Sequence, residues 1–539
     1  MSSFDHQLQI KDLLGPALRY EPDRKIHYRD SFSYSYREFV PRVHKLVSLL
    51  KELGIGEGDT VAVLDWDSHR YLEAFFAVPM TGAILHTVNI RLSPQQIVYT
   101  MNHANDRLVL VHEDFLPLVE KLQEHLRTVE SFVILRDEDS GRFGYLKNVA
   151  GEYESLLKSA STKPEIENLD ESTIATRFYT TGTTGNPKGV SFTHRQLVLH
   201  TLTLGHTLGG LGAPSFQSHD VYMPLTPMFH VHAWGIPYLA TSWCNQQIYP
   251  GRYEPDLILD LFEKHKVSFS HCVPTILQMV LSHPRSKDVD LSGWKVIIGG
   301  SALSPTLAAA AADRGIDIYT GYGMSETCPV LSLSYLREQT RKLPVEEQIP
   351  YRVRAGIPVM MVEPRIESGK SSEGAGSSEG EIQVRAPWLT AGYYLDEEKS
   401  EELWRGGWLH TGDVGFQDPE GYLRITDRIK DVIKSGGEWI SSVALEALIS
   451  EISGVDLVAV VGVPDEQWGE RPCAWIQSQS KTLDILAVQD HLKTYVDSGK
   501  IPTWAIPSMV AIVEEIPRTS VGKIDKKEIR RQILQKGTD

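Results

Sequence analysis

Cysteine is scarce in this 539-residue chain: Cys244, Cys272, Cys328 and Cys473 are scattered, and no two form a C-x-x-C pair. That spacing argues against a disulfide framework or a cysteine-rich zinc site and fits a reducing compartment. Basic residues are in deficit, 54 Lys and Arg against 70 Asp and Glu, for a net charge of −16. A nucleic-acid binder needs the opposite balance, so no nucleic-acid partner is expected. No apolar run reaches the roughly 18 residues of a membrane span, so no stable membrane insertion is expected. The first residues, "MSSFDHQLQIKDLLGP", carry acids early and no basic segment before an apolar core, and "QKGTD" is neither a peroxisomal nor a lipidation signal. A cytoplasmic location is the expectation. The P-loop is missing too. "YTTGTTGNPKGV" (179–190) has the composition of a phosphate cradle, but Lys188 follows Pro187 instead of a glycine. Gly189 also stands where the P-loop carries its magnesium-binding Ser or Thr.

The composition that remains, 41% hydrophobic and 23% charged, is that of a globular protein able to bury sizeable cores. The length predicts about three or four folding units. Short β-branched runs alternate with helical patterns: "TVAVLDW" (60–66), "ILHTVNI" (84–90), "RLVLVHE" (107–113) and "SFVILRD" (131–137), then "ATRFYTT", "DVYMPLT", "QQIYPG", "VSFSHCV", "KVIIGGS" and "DIYTGYG". This alternation predicts an α/β protein with two parallel sheets covered by helices, since the strands are too many for one. From about residue 351 the pattern turns antiparallel, and Asp418-Pro419-Glu420-Gly421 marks a turn between two strands. Past Arg428 a small α/β unit begins. Ile524, Ile529, Ile533 and Leu534 near its end are expected on one packed helix face.

Read as chemistry, 179–190 offers the hydroxyls of Thr180, Thr181, Thr183 and Thr184, and Gly182, Gly185 and Gly189 free the backbone to turn amides toward anions. Lys188 adds a point charge suited to a triphosphate. Four more segments follow in order: "YTGYGMSET" (319–327), "WLHTGD" (408–413), "DRIKDVIKSGGEW" (427–439) and "PRTSVGK" (517–523). Together the five closely resemble the adenylate-forming superfamily of acyl-CoA synthetases, luciferases and peptide-synthetase adenylation domains. The resemblance runs from about residue 30 to the C-terminus. "PMFHVHAWG" (227–235) and "IKSGGEWIS" (433–441) look most like the fatty acyl-CoA synthetases.

The resemblance implies a large domain, 1–427, of two helix-covered sheets plus a small β-barrel-like subdomain, a hinge at 428–430, and a small mobile α/β domain, 431–539. It implies a two-step ligase: a carboxylic acid, in this case a medium- or long-chain fatty acid, attacks ATP to give acyl-adenylate and pyrophosphate. Coenzyme A then takes the acyl group and releases AMP. Other acids (short-chain, aromatic or sulfur-containing) and a carrier-protein acceptor remain alternatives. A nucleotide-binding protein without chemistry is a further one, opposed by the joint presence of Glu326, Asp413 and Lys523. Homodimers are common among similar enzymes.

Residue by residue, the resemblance makes Glu326 the magnesium carboxylate, with Thr180 favoured over Thr184 as the second ligand. It assigns Thr320, Gly321, Tyr322 and Gly323 to the adenine, with Gly300, Ser301 and Ala302 as the opposite wall and Ser325 keeping a hydroxyl where many relatives have Thr. Thr181 stands where Ser is commoner. Asp413 accepts from both ribose hydroxyls, a task for an acceptor-only side chain, and Arg428 assists. Lys430 falls at the hinge. Lys434 and Trp439 match nucleotide-contacting positions, and Gly436 and Gly437 would let the backbone approach a pantetheine tunnel. Lys523, presented by Pro517, Thr519 and Gly522, would bridge the carboxylate and the triphosphate in the transition state. His230 borders the ATP site and the acid pocket, which Val231, Trp234, Gly299 and Met324 line.

Overall fold

The computed structural model describes residues 6–137, 145–180, 186–368, 379–435, 438–478, 483–519 and 522–536. Two sheets form its centre. The first has seven strands in the spatial order Val149–Glu152, Ser131–Leu135, Asp106–His112, Thr60–Leu64, Ile84–Thr87, Ile174–Thr180, Lys188–Thr193. All neighbours in it are parallel except the last pair. Thr60–Leu64 is buried at every position, which is why it reads as a continuous "TVAVL" and not as an alternation: helices cover both faces of a parallel sheet.

The second sheet has nine strands. Its parallel centre runs Asp317–Gly323, Lys295–Ile298, Phe269–Cys272, Val221–Tyr222, Gln246–Tyr249 and Lys25–Tyr28, and antiparallel strands close both edges. Helix Tyr36–Glu52 shows how the chain fills the space around these sheets. Tyr36, Phe39, Val40, Val43, Leu46, Val47 and Leu50 recur at three- and four-residue spacing and are all buried. Each such side chain contributes about 1.5–3 kcal/mol by leaving water. Ser35 and Glu38 cap its start reciprocally, with the Ser35 amide donating to Glu38 at 2.7 Å.

A third, antiparallel sheet takes Glu363–Ser368, Gly380–Arg385, Leu409–Gln417 and Leu423–Arg428 in open order. The turn expected at 418–421 is there. Asp418 Oδ1 accepts the amides of Glu420 (3.1 Å) and Tyr422 (2.9 Å), and Gly421 takes φ +85°. The chain then leaves this sheet at Arg428 and enters a fourth at Ile433–Ser435.

That fourth sheet has five strands, Glu438–Ile440, Ile433–Ser435, Gly469–Gln477, Leu457–Asp465 and Met509–Val513, the last pairing parallel to Gly469–Gln477. On the closing helix, Lys526–Lys536, Ile529 and Ile533 pack with Val461 and Trp475. Leu534 does not share that face as expected; it is exposed. It lies five residues past Ile529, about 140° around the helix. Among the described residues, no helix is long and apolar enough to cross a membrane.

Candidate active site

Two strands flank the hydroxyl-rich stretch. Ile174–Thr180 and Lys188–Thr193 pair antiparallel, with Thr180 directly opposite Lys188. A P-loop instead runs from strand into helix, so its helix N-terminus can hold phosphate. In this chain the helix, His194–Gly210, begins only after the second strand, capped by Thr193 and Gln196. Thr181, Gly182, Thr183 and Thr184 lie outside the described residues.

Segment 390–394 braces the hairpin from the side. Tyr394 donates its amide to the Gly189 carbonyl at 2.8 Å. The Arg177 guanidinium lies 3.5 Å above the Tyr394 ring, and the Lys188 ammonium lies 4.2 Å above the ring of Tyr393. The Tyr393 hydroxyl donates to Glu326 Oε1 at 2.8 Å. Glu326 is buried, its carbonyl accepting from the Thr390 amide at 3.0 Å. Residues 188 and 326 therefore meet through one phenol. Burial lowers the Lys188 pKa, while Asp396 and Glu326 act against that. The carboxylate of Glu326 and the hydroxyl of Thr180 are hard oxygen donors of the kind magnesium accepts beside phosphate.

Tyr322 and Asp413 form the next part. The Tyr322 hydroxyl donates to Asp413 Oδ2 at 2.8 Å, and Arg428 Nε lies 3.3 Å from Oδ1. Asp413 and Arg428 are cross-strand partners, so the sheet itself sets this pair. Burial pushes the Asp413 carboxyl up, opposed by Arg428, Tyr322 and Lys523. The glycines around Tyr322 are required by close approach. A Cβ on Gly323 would lie 1.8 Å from the Pro329 carbonyl oxygen, and one on Gly321 3.0 Å from Ile297. Thr320 is buried, its amide donating to Ser334 Oγ at 2.7 Å. Ser325 and Met324 are half-buried beside Glu326, while Ser301 and Ala302 are exposed at the rim.

The small domain reaches toward these residues. Gly522 N donates to Thr519 O at 2.9 Å and Lys523 N to Thr519 Oγ1 at 3.2 Å, so a tight turn presents the lysine. Thr275 Oγ1 donates to Gly522 O at 3.4 Å across the domain boundary. Lys523 runs along Gly300: a Cβ there would lie 3.0 Å from its Cε and 3.7 Å from its Nζ. Its ammonium is pushed down to about 8, first by burial and then by Arg428, while Asp413 and Glu326 pull it up. Four charged groups from separate segments thus share one field. His230 feels Lys523 as well; burial first, then Lys523 and Arg91, hold its imidazole at about 3, so it is neutral at physiological pH.

Beyond His230 the backbone does something the sequence did not signal. Val231 (φ +47°), His232 (+55°), Ala233 (+47°), Trp234 (+59°) and Gly235 (+74°) form a left-handed turn. The non-glycine residues each carry a cost of roughly 1–2 kcal/mol. The surroundings hold the turn in place. The His232 ring is boxed by Phe75, Phe178, Phe192 and Tyr238. Asp67, buried and pushed up to about 7, accepts the Met228 amide at 2.8 Å and the Tyr253 hydroxyl at 2.5 Å. The turn lays the Trp234 ring against His271, 5.0 Å between centroids, and against Gly299, where a Cβ would lie 2.8 Å from the indole. Val231 is buried beside them.

Other expected residues are not gathered here. Lys434 and Trp439 are cross-strand partners on the small domain's hairpin and face solvent, Trp439 being 57% exposed. Lys430 is exposed on the connection between sheets. Gly436 and Gly437 lie outside the described residues. Tyr393 and Asp67 were missed from sequence, since neither sits in a segment whose composition suggests a ligand.

Comparison with known proteins bears on this arrangement. A family model described as AMP-binding enzyme matches residues 16–394, and one described as AMP-binding enzyme C-terminal domain matches 444–523. The chain is 37% identical over 537 residues to a long-chain-fatty-acid–CoA ligase of Thermus thermophilus, covering 98% of this chain and 96% of that protein. It is 35% identical to a 3-methylmercaptopropionyl-CoA ligase of Ruegeria pomeroyi, with 97% of each covered. In fold it is similar to the anthranilate CoA ligase AuaEII in complex with anthranoyl-AMP, at TM-score 0.84 and 23% identity, covering 99% of this chain and 98% of that one.

Proposed function

This chain belongs to the AMP-binding enzyme family and is an ATP-dependent acid–CoA ligase, and from that premise we propose that it activates a medium- or long-chain fatty acid through the residues gathered around Lys523. The observation that carries the assignment is that Lys523, from the small domain, lies along Gly300 in the same field as Asp413, Arg428 and Glu326.

In the first step a carboxylate oxygen forms a bond to the α-phosphorus of ATP, and the bond from that phosphorus to the pyrophosphate oxygen breaks. Both reactants are anions. The Lys523 ammonium between them offsets their repulsion and meets the charge that builds on the phosphorus oxygens. Asp413 holds the ribose, and Tyr322, freed from its bond to Asp413, lies against the adenine with Gly300, Ser301 and Ala302 opposite. The hairpin's hydroxyls, its backbone amides and Lys188 cradle the phosphates. Glu326 and Thr180 would hold magnesium, which would supply neutralising charge there. His230, kept neutral by burial, borders both reactants without adding charge of its own. Val231, Trp234, Gly299 and Met324 line the acid's chamber.

In the second step the small domain turns about residues 428–430, between the large domain, 1–427, and its own body, 431–539. Lys523 withdraws, and the hairpin of Lys434 and Trp439 comes to the chamber with coenzyme A. The thiol gives its proton to water, its sulfur bonds to the acyl carbon, and the carbon–oxygen bond breaks with its electron pair leaving on the phosphate oxygen of AMP. We assign the enzyme to the cytoplasm, which suits four free, buried thiols, and to a homodimer; a monomer mass by light scattering would remove the latter.

The Ruegeria relative gives a second reading, a short sulfur-containing acid. One experiment separates them: incubation with ATP, magnesium, coenzyme A and a panel of acids, with AMP and acyl-CoA measured by mass spectrometry. A preference for saturated acids of eight or more carbons is expected. Turnover confined to 3-methylmercaptopropionate gives the second reading, and AMP release without acyl-CoA removes coenzyme A as the acceptor.

A further inference from the structure

The contact between the hairpin lysine and the buried glutamate runs through a single side chain, and the geometry points to Tyr393 as the positioning residue of the metal and phosphate site. Its hydroxyl donates to Glu326 Oε1 at 2.8 Å, while its ring face carries the Lys188 ammonium at 4.2 Å. Tyr393 thus engages one oxygen of the carboxylate, Oε1, and in this role the other, Oε2, would face the cation.

The Tyr393 backbone is held at three points. The Tyr393 backbone bridges to Val190 on the hairpin's second strand. Its amide donates to Ser400 Oγ at 2.8 Å, and its carbonyl accepts the Asp396 amide at 3.3 Å. Gly392 lets the chain pass Ser400, since a Cβ there would lie 2.6 Å from that hydroxyl. A tyrosine so held can orient a carboxylate by its hydroxyl and an ammonium by its π face in one move. Without it, Lys188 and Glu326 keep their charges but lose their relative placement. The role is to set the site's preference for nucleotide that carries its metal.

This role rests on the reading of Glu326 as the magnesium carboxylate, and the test distinguishes the two. Calorimetric titration of the full chain with ATP, once with magnesium and once with EDTA, gives a ratio of affinities without turnover. Tyr393→Phe is expected to lower that ratio about tenfold or more, the usual worth of one hydrogen bond to a charged group, and to leave magnesium-free ATP binding within about twofold. Tyr393→Leu, which also removes the ring under Lys188, is expected to weaken both forms of ATP. In a Glu326→Gln background, Tyr393→Phe should change the ratio no further. A ratio unchanged by Tyr393→Phe, or a loss that persists in full in the Glu326→Gln background, overturns the role of Tyr393 alone. A wild-type chain that binds ATP equally well with and without magnesium overturns the metal assignment itself, and Tyr393's role with it.

Discussion

The turn that presents Lys523 and the hairpin that carries Trp439 both belong to the small domain, yet they stand in opposite environments. Lys523 lies along Gly300, its preceding glycine tied to Thr275 of the large domain at 3.4 Å. Trp439, paired across the strands with Lys434, is 57% exposed. An indole left in water forgoes roughly 1.5–3 kcal/mol of burial. The first end is engaged and the second is waiting. The contrast suits the proposed function: an arrangement with Lys523 docked fits adenylate formation, and Trp439 would act only if the domain took a second arrangement.

The sharpest way to break the contrast is to remove the engaged end. Lys523→Ala is expected to slow pyrophosphate exchange by about 10²–10³-fold while sparing thioester formation from supplied acyl-adenylate; equal losses in both half-reactions would contradict the division. Next in size, Glu326→Gln should raise the magnesium concentration for half-maximal exchange by about tenfold or more, and an unchanged magnesium titration would remove Glu326 from the metal site.

Lys523 also predicts a pH dependence. Its ammonium loses its proton near pH 8 in the free enzyme. The kcat/KM of the exchange reaction should therefore fall above about pH 8, by up to about tenfold per unit. The linked stability effect has the opposite sense. A lysine whose folded value is lowered is penalised while charged, so the fold gains stability as pH rises from about 8 toward the ordinary 10.5. An alkaline limb that stays near pH 8 in Lys523→Arg would assign it to another group. Smallest of all, Trp439→Ala should slow the thioester step by about three- to tenfold, for the loss of roughly 1 kcal/mol of contact, and leave exchange untouched.

What was legible in the sequence was what is contiguous. The central strands of both large sheets read as β-branched runs, because helix-covered strands need no alternation, whereas strands toward the edges, such as Lys25–Tyr28 and Val149–Glu152, gave no such run; the five motif segments read as chemistry, because each packs its ligand groups within about ten residues. Tyr393 was not legible. Its function comes from a bridge to Val190 and a hydrogen bond to Glu326, partners 203 and 67 residues away along the chain, and a Gly-Tyr-Tyr triplet in a turn announces neither. The left-handed turn at 231–235 was hidden for the contrary reason. Val231, His232, Ala233 and Trp234 are residues for which positive φ is disfavoured, so local preference points away from the conformation that the aromatic box around His232 enforces. Leu534 went astray through a small error of phase, which on a helix moves a side chain from core to water.

The central claim is that Lys523 must be docked for the first step and withdrawn for the second, and a reversible lock tests it most directly. Thr275 Oγ1 lies 3.5 Å from where a Cβ on Gly522 would stand, within reach of a disulfide between Thr275→Cys and Gly522→Cys; a side chain at Gly522's φ of +82° costs roughly 1–2 kcal/mol, so the reduced double variant is the reference. With that bond formed, pyrophosphate exchange is predicted to continue while thioester formation from supplied acyl-adenylate and coenzyme A stops, returning when dithiothreitol is added. Thioester formation at the full rate with the lock closed would contradict the account.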